Sequence, residues 1–238
     1  MKIAVISDVH ANILGLQAAL EDMQKQGISK IYCAGDLVGY APFPNEVIEL
    51  IQKHQIPTVM GNYDDAIGNM RFICGCDYKD EQAQILGEKS ISWTKEHTSE
   101  QNLAFLRSLP TEVKFEIGKQ KVLIVHGSPR RLNEYLTESA ADDYLLELVE
   151  EAETDVLVCG HTHIPFHKVI QGKHVINAGS VGKPKHGKPS ATYVTIDFEH
   201  KVRVDIQQVE YDYEAVARAI DESALPNEFA EKLRRGQG

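Results

Sequence analysis

The sequence predicts an α/β fold (α+β in its second half) of two packed mixed β-sheets with helices outside. Three observations carry this. The first 60 residues alternate short apolar runs with helical stripes. After residue 110, strands joined by tight turns dominate. No internal repeat, low-complexity tract or Pro/Ser-rich linker divides the 238 residues.

Ile3 to Ser7 is continuously apolar, as a strand buried on both faces is. Asn12 is placed to cap a following helix whose Ile13, Leu16, Leu20 and Met23 form one stripe, ended by Gly27. Lys30 to Ala34 is a second strand, Asn45 to His54 a second helix with Val47, Ile48 and Ile51 inward, and Thr58 to Met60 a third strand. This alternation predicts parallel βαβ units with right-handed crossovers. Residues 65–110 break the rhythm and read as a mostly helical insertion from about Lys79 onward, with a short packed helix around Leu103, Phe105 and Leu106 before Pro110. Hairpins then follow: Val113 to Ile117 with Lys121 to Val125, Phe166 to Ile170 with His174 to Asn177, and Ala191 to Asp197 with Val202 to Val209. Ser139 to Glu151 is a helix, Asp155 to Cys159 a buried strand, and the tail, about 213–235, a pair of helices that caps the core or meets another subunit. The expected organisation is one domain over residues 1–238.

Composition narrows the function. With 42% hydrophobic residues the chain has ample material for a core. A formal net charge of −10 argues against a nucleic-acid partner, which needs a basic surface. It leaves room for a small anionic substrate, because bound cations invert the local field. The N-terminus lacks the pattern of a signal peptide and no run reaches the roughly 20 apolar residues of a membrane span, so the expected location is cytoplasmic, with reduced thiols. Cys74-Gly75-Cys76 accordingly reads as two reduced thiols in a loop, with a metal site or redox pair as the alternative.

Five short motifs carry the chemistry: Asp8-Val9-His10, Gly35-Asp36, Gly61-Asn62-Tyr63-Asp64, His126-Gly127 and Gly160-His161-Thr162-His163. Each follows an apolar run read as a strand. Loops at strand ends are where a rigid sheet places function. Asp8 and His10, and likewise His161 and His163, stand at i and i+2, which in extended geometry aims both side chains the same way. Asp36 supplies a carboxylate suited to bridging two cations, and Asn62 an amide oxygen. Seven such side chains are too many for one ion and about right for two.

The series D-x-H, G-D-x-x-G, G-N-x-D, H-G and G-H-T-H resembles the calcineurin-like metallophosphoesterase family over about residues 1–198. The details SDVHAN, GDLVGYAPFP, HGSP, GHTHIPF and NAGSVGKP are similar to its compact bacterial phosphodiesterase-like branch. The resemblance implies a four-layer αββα sandwich. It implies that Asp8, His10, Asp36 and His163 hold one divalent ion and that Asp36, Asn62, His126 and His161 hold a second, with Asp36 bridging. Mn, Fe or Zn suit this mixed N/O set better than Mg, and Ni is also used in the family. The implied reaction is hydrolysis of a small phosphoester, diester or monoester. The nucleophile would be a hydroxide shared by the ions, whose pKa falls from about 15.7 toward neutrality. Asn62, Tyr63, Asp64 and His126 are the residues this places at the reacting centre. Asn12, Arg130 and Arg131 are candidates for the substrate phosphate, Asn12 with a plain helix cap as the alternative.

One position departs from the family. Many members carry His after the Gly-Asn pair, where it is thought to protonate the leaving oxygen; this chain has Tyr63. A phenol with a reference pKa of about 10 is less well matched to that role than an imidazole near 6.5. Tyr63 is then either a weaker acid or a wall residue, and substrates with good leaving groups are favoured. The other reading is a catalytically weak scaffold on the same fold. The basic segment Val181 to Lys188 is either a solvated turn or a contact for a second phosphate or a polyanionic substrate.

Overall fold

A computed structural model of the chain describes residues 1–76, 78 and 80–238. Two sheets form its centre. The first is four-stranded and ordered β2 (Ile31–Cys33), β1 (Lys2–Ile6), β8 (Ala191–Asp197), β9 (Arg203–Val209); β1 and β2 are parallel, the rest antiparallel. The second is ordered β3 (Glu112–Ile117), β4 (Gln120–Val125), β5 (Val156–Cys159), β7 (Lys173–Asn177), β6 (Phe166–Ile170), with β4, β5 and β7 mutually parallel and the two edge strands antiparallel.

Alternation along the strands builds the layers. Ile3 and Val5 of β1 and Val194 and Ile196 of β8 meet Val122 and Ile124 of β4, Val156 and Val158 of β5 and Ile176 of β7 between the sheets. The residues one step away point outward. Ala4 and Ile6 pack under Leu16, Leu20 and Met23 of α1 (Ile13–Lys25), with Val47, Ile48 and Ile51 of α2 (Pro44–Lys53) in the same cluster. Leu123, Leu157 and Val175 pack under Leu145, Leu148 and Val149 of α6 (Asp142–Glu151) on the opposite face. The result is the αββα sandwich. Two further helices, α7 (Tyr213–Asp221) and α8 (Glu228–Arg235), pair through Val216, Ile220, Phe229 and Leu233 and cover Ala11 and Ala41 at one end of the sheets. No helix of the described residues is long and apolar enough to cross a membrane.

The structure differs from the sequence reading in four places. The strand expected over Thr58 to Met60 is a single parallel bridge, Cys33 to Thr58. Pro57 has no N–H to extend the ladder, and the chain turns at Gly61 into an unanticipated short helix, α3 (Asn62–Gly68). Beyond it, α4 (Glu81–His97) and α5 (Glu100–Ser108) fill the stretch read as mostly helical; Lys79, its expected start, lies outside the described residues, and Asp80 caps α4 by accepting from the Ala83 N–H. The helix expected from Ser139 begins at Asp142. Finally, Cys74 and Cys76 are joined as a disulfide where reduced thiols were expected. The turn at Gly75 (φ 71°) brings their Cα atoms to 5.5 Å, within bridging range. Cys33 and Cys159 are free and buried.

Ile124 sits fully buried between the sheets. Ile124→Ala is therefore expected to lower unfolding free energy by about 2–5 kcal/mol, measured by urea titration. A loss below about 1 kcal/mol would mean this layer can collapse around the void.

Candidate metal centre

All seven predicted ligands gather at one end of the two sheets. Asp8 and His10 follow β1, Asp36 follows β2, His126 follows β4, and His161 and His163 follow β5; Asn62 opens α3. Their backbones are not extended. Asp8 (φ 52°), His10 (46°), Asp36 (55°), His161 (65°) and His163 (62°) all lie in the left-handed region that non-glycine residues avoid. The i, i+2 pairs converge because left-handed residues turn the chain, not because a strand continues. Hydrogen bonds hold these conformations. The N–H groups of Asp8, His10 and Ala11 donate to the carbonyls of Gly35, Asp36 and Leu37 at 2.9, 3.0 and 2.8 Å, locking the first loop to the second. The His161 N–H and the Ser7 hydroxyl both donate to Asp8 Oδ2, at 3.0 and 2.6 Å. Strain of this kind persists only where the surroundings over-determine it.

Two motif glycines are steric requirements. A Cβ on Gly61 would stand 2.1 Å from Asp36 Oδ1, and one on Gly160 would stand 1.9 Å from Ser7 Oγ and 2.5 Å from Asp8 Oδ2. Both sites need a backbone close enough to touch a carboxylate.

The donor atoms fall into two groups, Asp8, His10 and His163, and Asp36, His126 and His161, each spanning no more than 4.8 Å. His10 Nε2 and His163 Nε2 are 3.2 Å apart, and Asp8 Oδ1 is 3.2 Å from His163 Nε2. His126 Nε2 is 2.9 Å from Asn62 Oδ1 and 3.1 Å from His161 Nδ1. Asp36 Oδ2 lies between the groups, 3.7 Å from His10 Nε2 and 3.5 Å from His126 Nε2.

The tautomers decide what these short distances mean. The Nδ1–H of His10 donates to the Val38 carbonyl (3.0 Å), that of His126 to Ala34 (2.8 Å) and that of His163 to Lys183 (2.7 Å). Each Nε2 therefore aims a lone pair inward. Asn62 Nδ2 donates to the Cys74 carbonyl and to Cys76 Sγ, leaving its oxygen facing His126. Acceptors thus oppose acceptors. Asp8 Oδ1 and His161 Nε2 are buried without a hydrogen bond among the described residues. Ligand atoms around a tetrahedral ion at about 2.1 Å stand roughly 3.4 Å apart, so these spacings fit a shared cation.

The proton affinities agree at three of the four imidazoles. Burial, aided by the Asp64 and Asp8 charges, pushes the Asp36 carboxyl up to about 8 against the pull of His126. Burial lowers His10 well below its usual range, His161 to about 2 and His163 to about 4. At His126 burial works against the charge, but Asp36 and Asp8 outweigh it and raise the pKa. His10, His161 and His163 are thus held in the neutral, ligating form, whereas at His126 a divalent ion would have to displace a proton.

The remaining predicted residues divide. Asp64 faces no cavity; its carboxylate accepts the N–H groups of Asp36, Gly61 and Leu37 at 2.8, 2.9 and 2.9 Å. It fixes the loop that carries Asp36, whose Oδ1 accepts from the Tyr63 N–H at 2.8 Å. Tyr63 is 1% exposed, its ring edge-on to His10, and burial beside Tyr40 and Tyr78 raises its phenol well above 10. Asn12 is consumed structurally: Oδ1 accepts from the Gly15 N–H, and Nδ2 donates to the Gly182 carbonyl and the Tyr211 hydroxyl. Arg130 pairs with Glu147 and Glu151 of α6; neither it nor Arg131 lines the cavity shared by most of the other donors, but both line a separate cavity of about 240 Å³ that reaches His126.

The cavity beside those other donors has a volume of about 290 Å³ and is walled by Tyr40, Tyr63, Tyr78, Tyr135 and Phe229 together with Lys183, Lys185 and Lys232. The basic run at Lys183 was a visible signal for two of these lysines. Nothing local in the sequence marks Lys232 or Phe229. A larger groove of about 890 Å³ follows β2 between α1 and α2, but no ligand residue reaches it.

Residues 1–201 match the calcineurin-like phosphoesterase superfamily domain. The chain belongs to that family. It is 35% identical over 252 residues to the uncharacterized protein MJ0912 of Methanocaldococcus jannaschii, covering 99% of this chain and 98% of the relative. It is 23% identical to the phosphodiesterase YfcE of Escherichia coli K12, over 83% of this chain and 88% of the relative. A metallophosphoesterase from Sphaerobacter thermophilus superposes with a TM-score of 0.79 at 28% identity, over 99% of both chains.

Because a methyl at residue 61 would collide with Asp36, Gly61→Ala is expected to weaken Mn²⁺ affinity by about 10–100-fold, read by calorimetry on chelator-treated protein. Unchanged affinity would mean that the Asp36 loop can recede without moving its carboxylate.

Proposed function

We propose that the chain is a binuclear metal-dependent hydrolase of small phosphoesters. Asp8, His10, Asp36 and His163 would hold one ion, and Asp36, Asn62, His126 and His161 the other. The observation that carries this reading is the position of Asp36 Oδ2, within 3.7 Å of a ligand nitrogen from each group. The mixed imidazole, carboxylate and amide set suits Mn, Fe or Zn. When bound, two such ions supply an activated water for attack on phosphorus and neutralise the phosphoryl oxygens as charge develops.

The protein's own contribution is positional. Asp64 fixes the Asp36 loop, and carbonyls of Ala34, Val38 and Lys183 set three imidazoles in the ligating tautomer. No Ser or Cys nucleophile is required. Tyr63 forms a wall of the cavity, and a phenol held above 10 is a poor proton donor near neutrality. Leaving groups that need no protonation are therefore favoured. Diesters and monoesters both belong in the test panel, diesters on the strength of the name carried by the E. coli relative.

Asp36→Asn should cut Mn²⁺-dependent turnover of an aryl phosphoester by at least about 100-fold and reduce the metal retained per chain. Retention of most activity would remove the binuclear assignment. Separately, Tyr63→His should raise turnover of an alkyl phosphoester more than that of an aryl one. Equal effects on both would place leaving-group protonation elsewhere.

A further inference from the structure

The Cys74–Cys76 bridge stands beside the candidate metal centre but takes no part in the chemistry assigned to it. As a staple it is ineffective. A cross-link stabilises a fold by restricting the unfolded chain, and the gain grows with the length of loop that it closes. This one joins residues two apart in sequence.

Its position is specific. Cys76 is half-buried and lines the cavity together with Asp36, Asn62 and His161. The buried Asn62 donates from Nδ2 to the Cys74 carbonyl at 3.1 Å and to Cys76 Sγ at 3.2 Å. Both acceptors belong to the bridged turn. They decide which end of the amide faces inward, and Oδ1 accordingly stands 2.9 Å from His126 Nε2. Turned over, the amide would present N–H groups, which cannot ligate a cation. The turn is anchored on its other sides. The Asn133 amide donates to the Gly75 carbonyl, and Cys74 Sγ lies 3.1 Å from the Tyr78 hydroxyl. That hydroxyl packs over Gly87 of α4, where a Cβ would stand 2.0 Å from it.

We propose that Cys74 and Cys76 form a redox switch that sets the orientation of Asn62, closed by oxidation and opened by a dithiol reductant. This rests on the binuclear reading, which makes Asn62 Oδ1 a ligand of the second ion. Cys76 Sγ is the sulfur open to attack, because Cys76 borders the cavity whereas Cys74 is buried. A thiolate of the reductant bonds to Cys76 Sγ, the bond between the two cysteines breaks, and Cys74 leaves as a thiolate that takes up a proton. The reductant's second thiol then displaces Cys76, which also leaves and is protonated. Two electrons and two protons pass to the protein, and the reductant becomes a cyclic disulfide. Once the bond is gone, Cys76 Sγ rotates independently of the Cys74 carbonyl. The Asn62 amide then loses one of the two fixed acceptors that aim it.

The test compares the full chain oxidised with diamide and the same chain reduced with dithiothreitol, then freed of reductant without air. Cys33 and Cys159 are free, so thiol titration in denaturant should count two thiols in the first and four in the second. Calorimetric titration of chelator-treated protein with Mn²⁺ should show one of two binding steps weakened about tenfold or more by reduction, and the other unchanged. Cys74→Ser combined with Cys76→Ser should bind as the reduced protein does, whether or not it has met dithiothreitol. Four thiols after diamide would overturn the assignment. So would identical isotherms in the two states, both steps weakening alike, or a double variant that still responds to reductant. Mn²⁺-dependent hydrolysis of phenyl phosphate by the oxidised chain tests the phosphoesterase reading independently of any redox difference.

Discussion

Everything at the functional end of this molecule depends on one buried carboxylate being held by another. Asp64, fully buried, gathers three backbone N–H groups from the Asp36 loop and the start of α3. That fixes Asp36 so that one oxygen is spent on the Tyr63 N–H and the other stands between two clusters of nitrogen and oxygen donors. A hydrogen-bonded carboxylate is among the few buried groups rigid enough to aim its neighbour to within a fraction of an ångström. Without it, Asp36 would sit on an ordinary turn.

The two sheets supply the second condition. β1 and β2 run parallel in one sheet, β4 and β5 in the other, and the loops leaving their C-terminal ends face each other across the sandwich. Candidate donors from residues 8 to 163 are thus delivered by short loops on stiff strands. The apolar layer between the sheets, from Ile3 to Ile196, lies beneath both donor groups, each of which takes residues from both sheets. Packing in that layer and geometry at the centre are one problem, because interiors at close-packed density transmit displacements instead of absorbing them.

Much of this was legible in the sequence. Strand periodicity identified both sheets, and the spaced motifs named seven side chains that the fold gathers at one end of them, because burial restricts residue type strongly. Other features were not legible. The left-handed backbone at Asp8, His10, Asp36, His161 and His163 has no signature at non-glycine positions. The helix α3 hides behind residues that also read as a strand end. Asp64 looks like a reacting group until its three backbone partners are seen. Arg130 looks available to a phosphate until Glu147 and Glu151, in α6, are found beside it. Lys232 reaches the cavity only through tertiary packing of α8. Each gap concerns where a side chain is aimed, a property set by contacts distant in sequence.

Lys183 joins two parts of the site in a single residue. Its carbonyl orients the His163 imidazole while its ammonium stands over Tyr40 in the cavity. Any displacement of that short stretch of main chain re-aims a ligand and relocates a cation together. Were an ion held at His163, occupancy of the cavity and grip on that ion would be linked quantities. By thermodynamic reciprocity, a guest that steadies this segment tightens the ion by the same factor with which the ion tightens the guest.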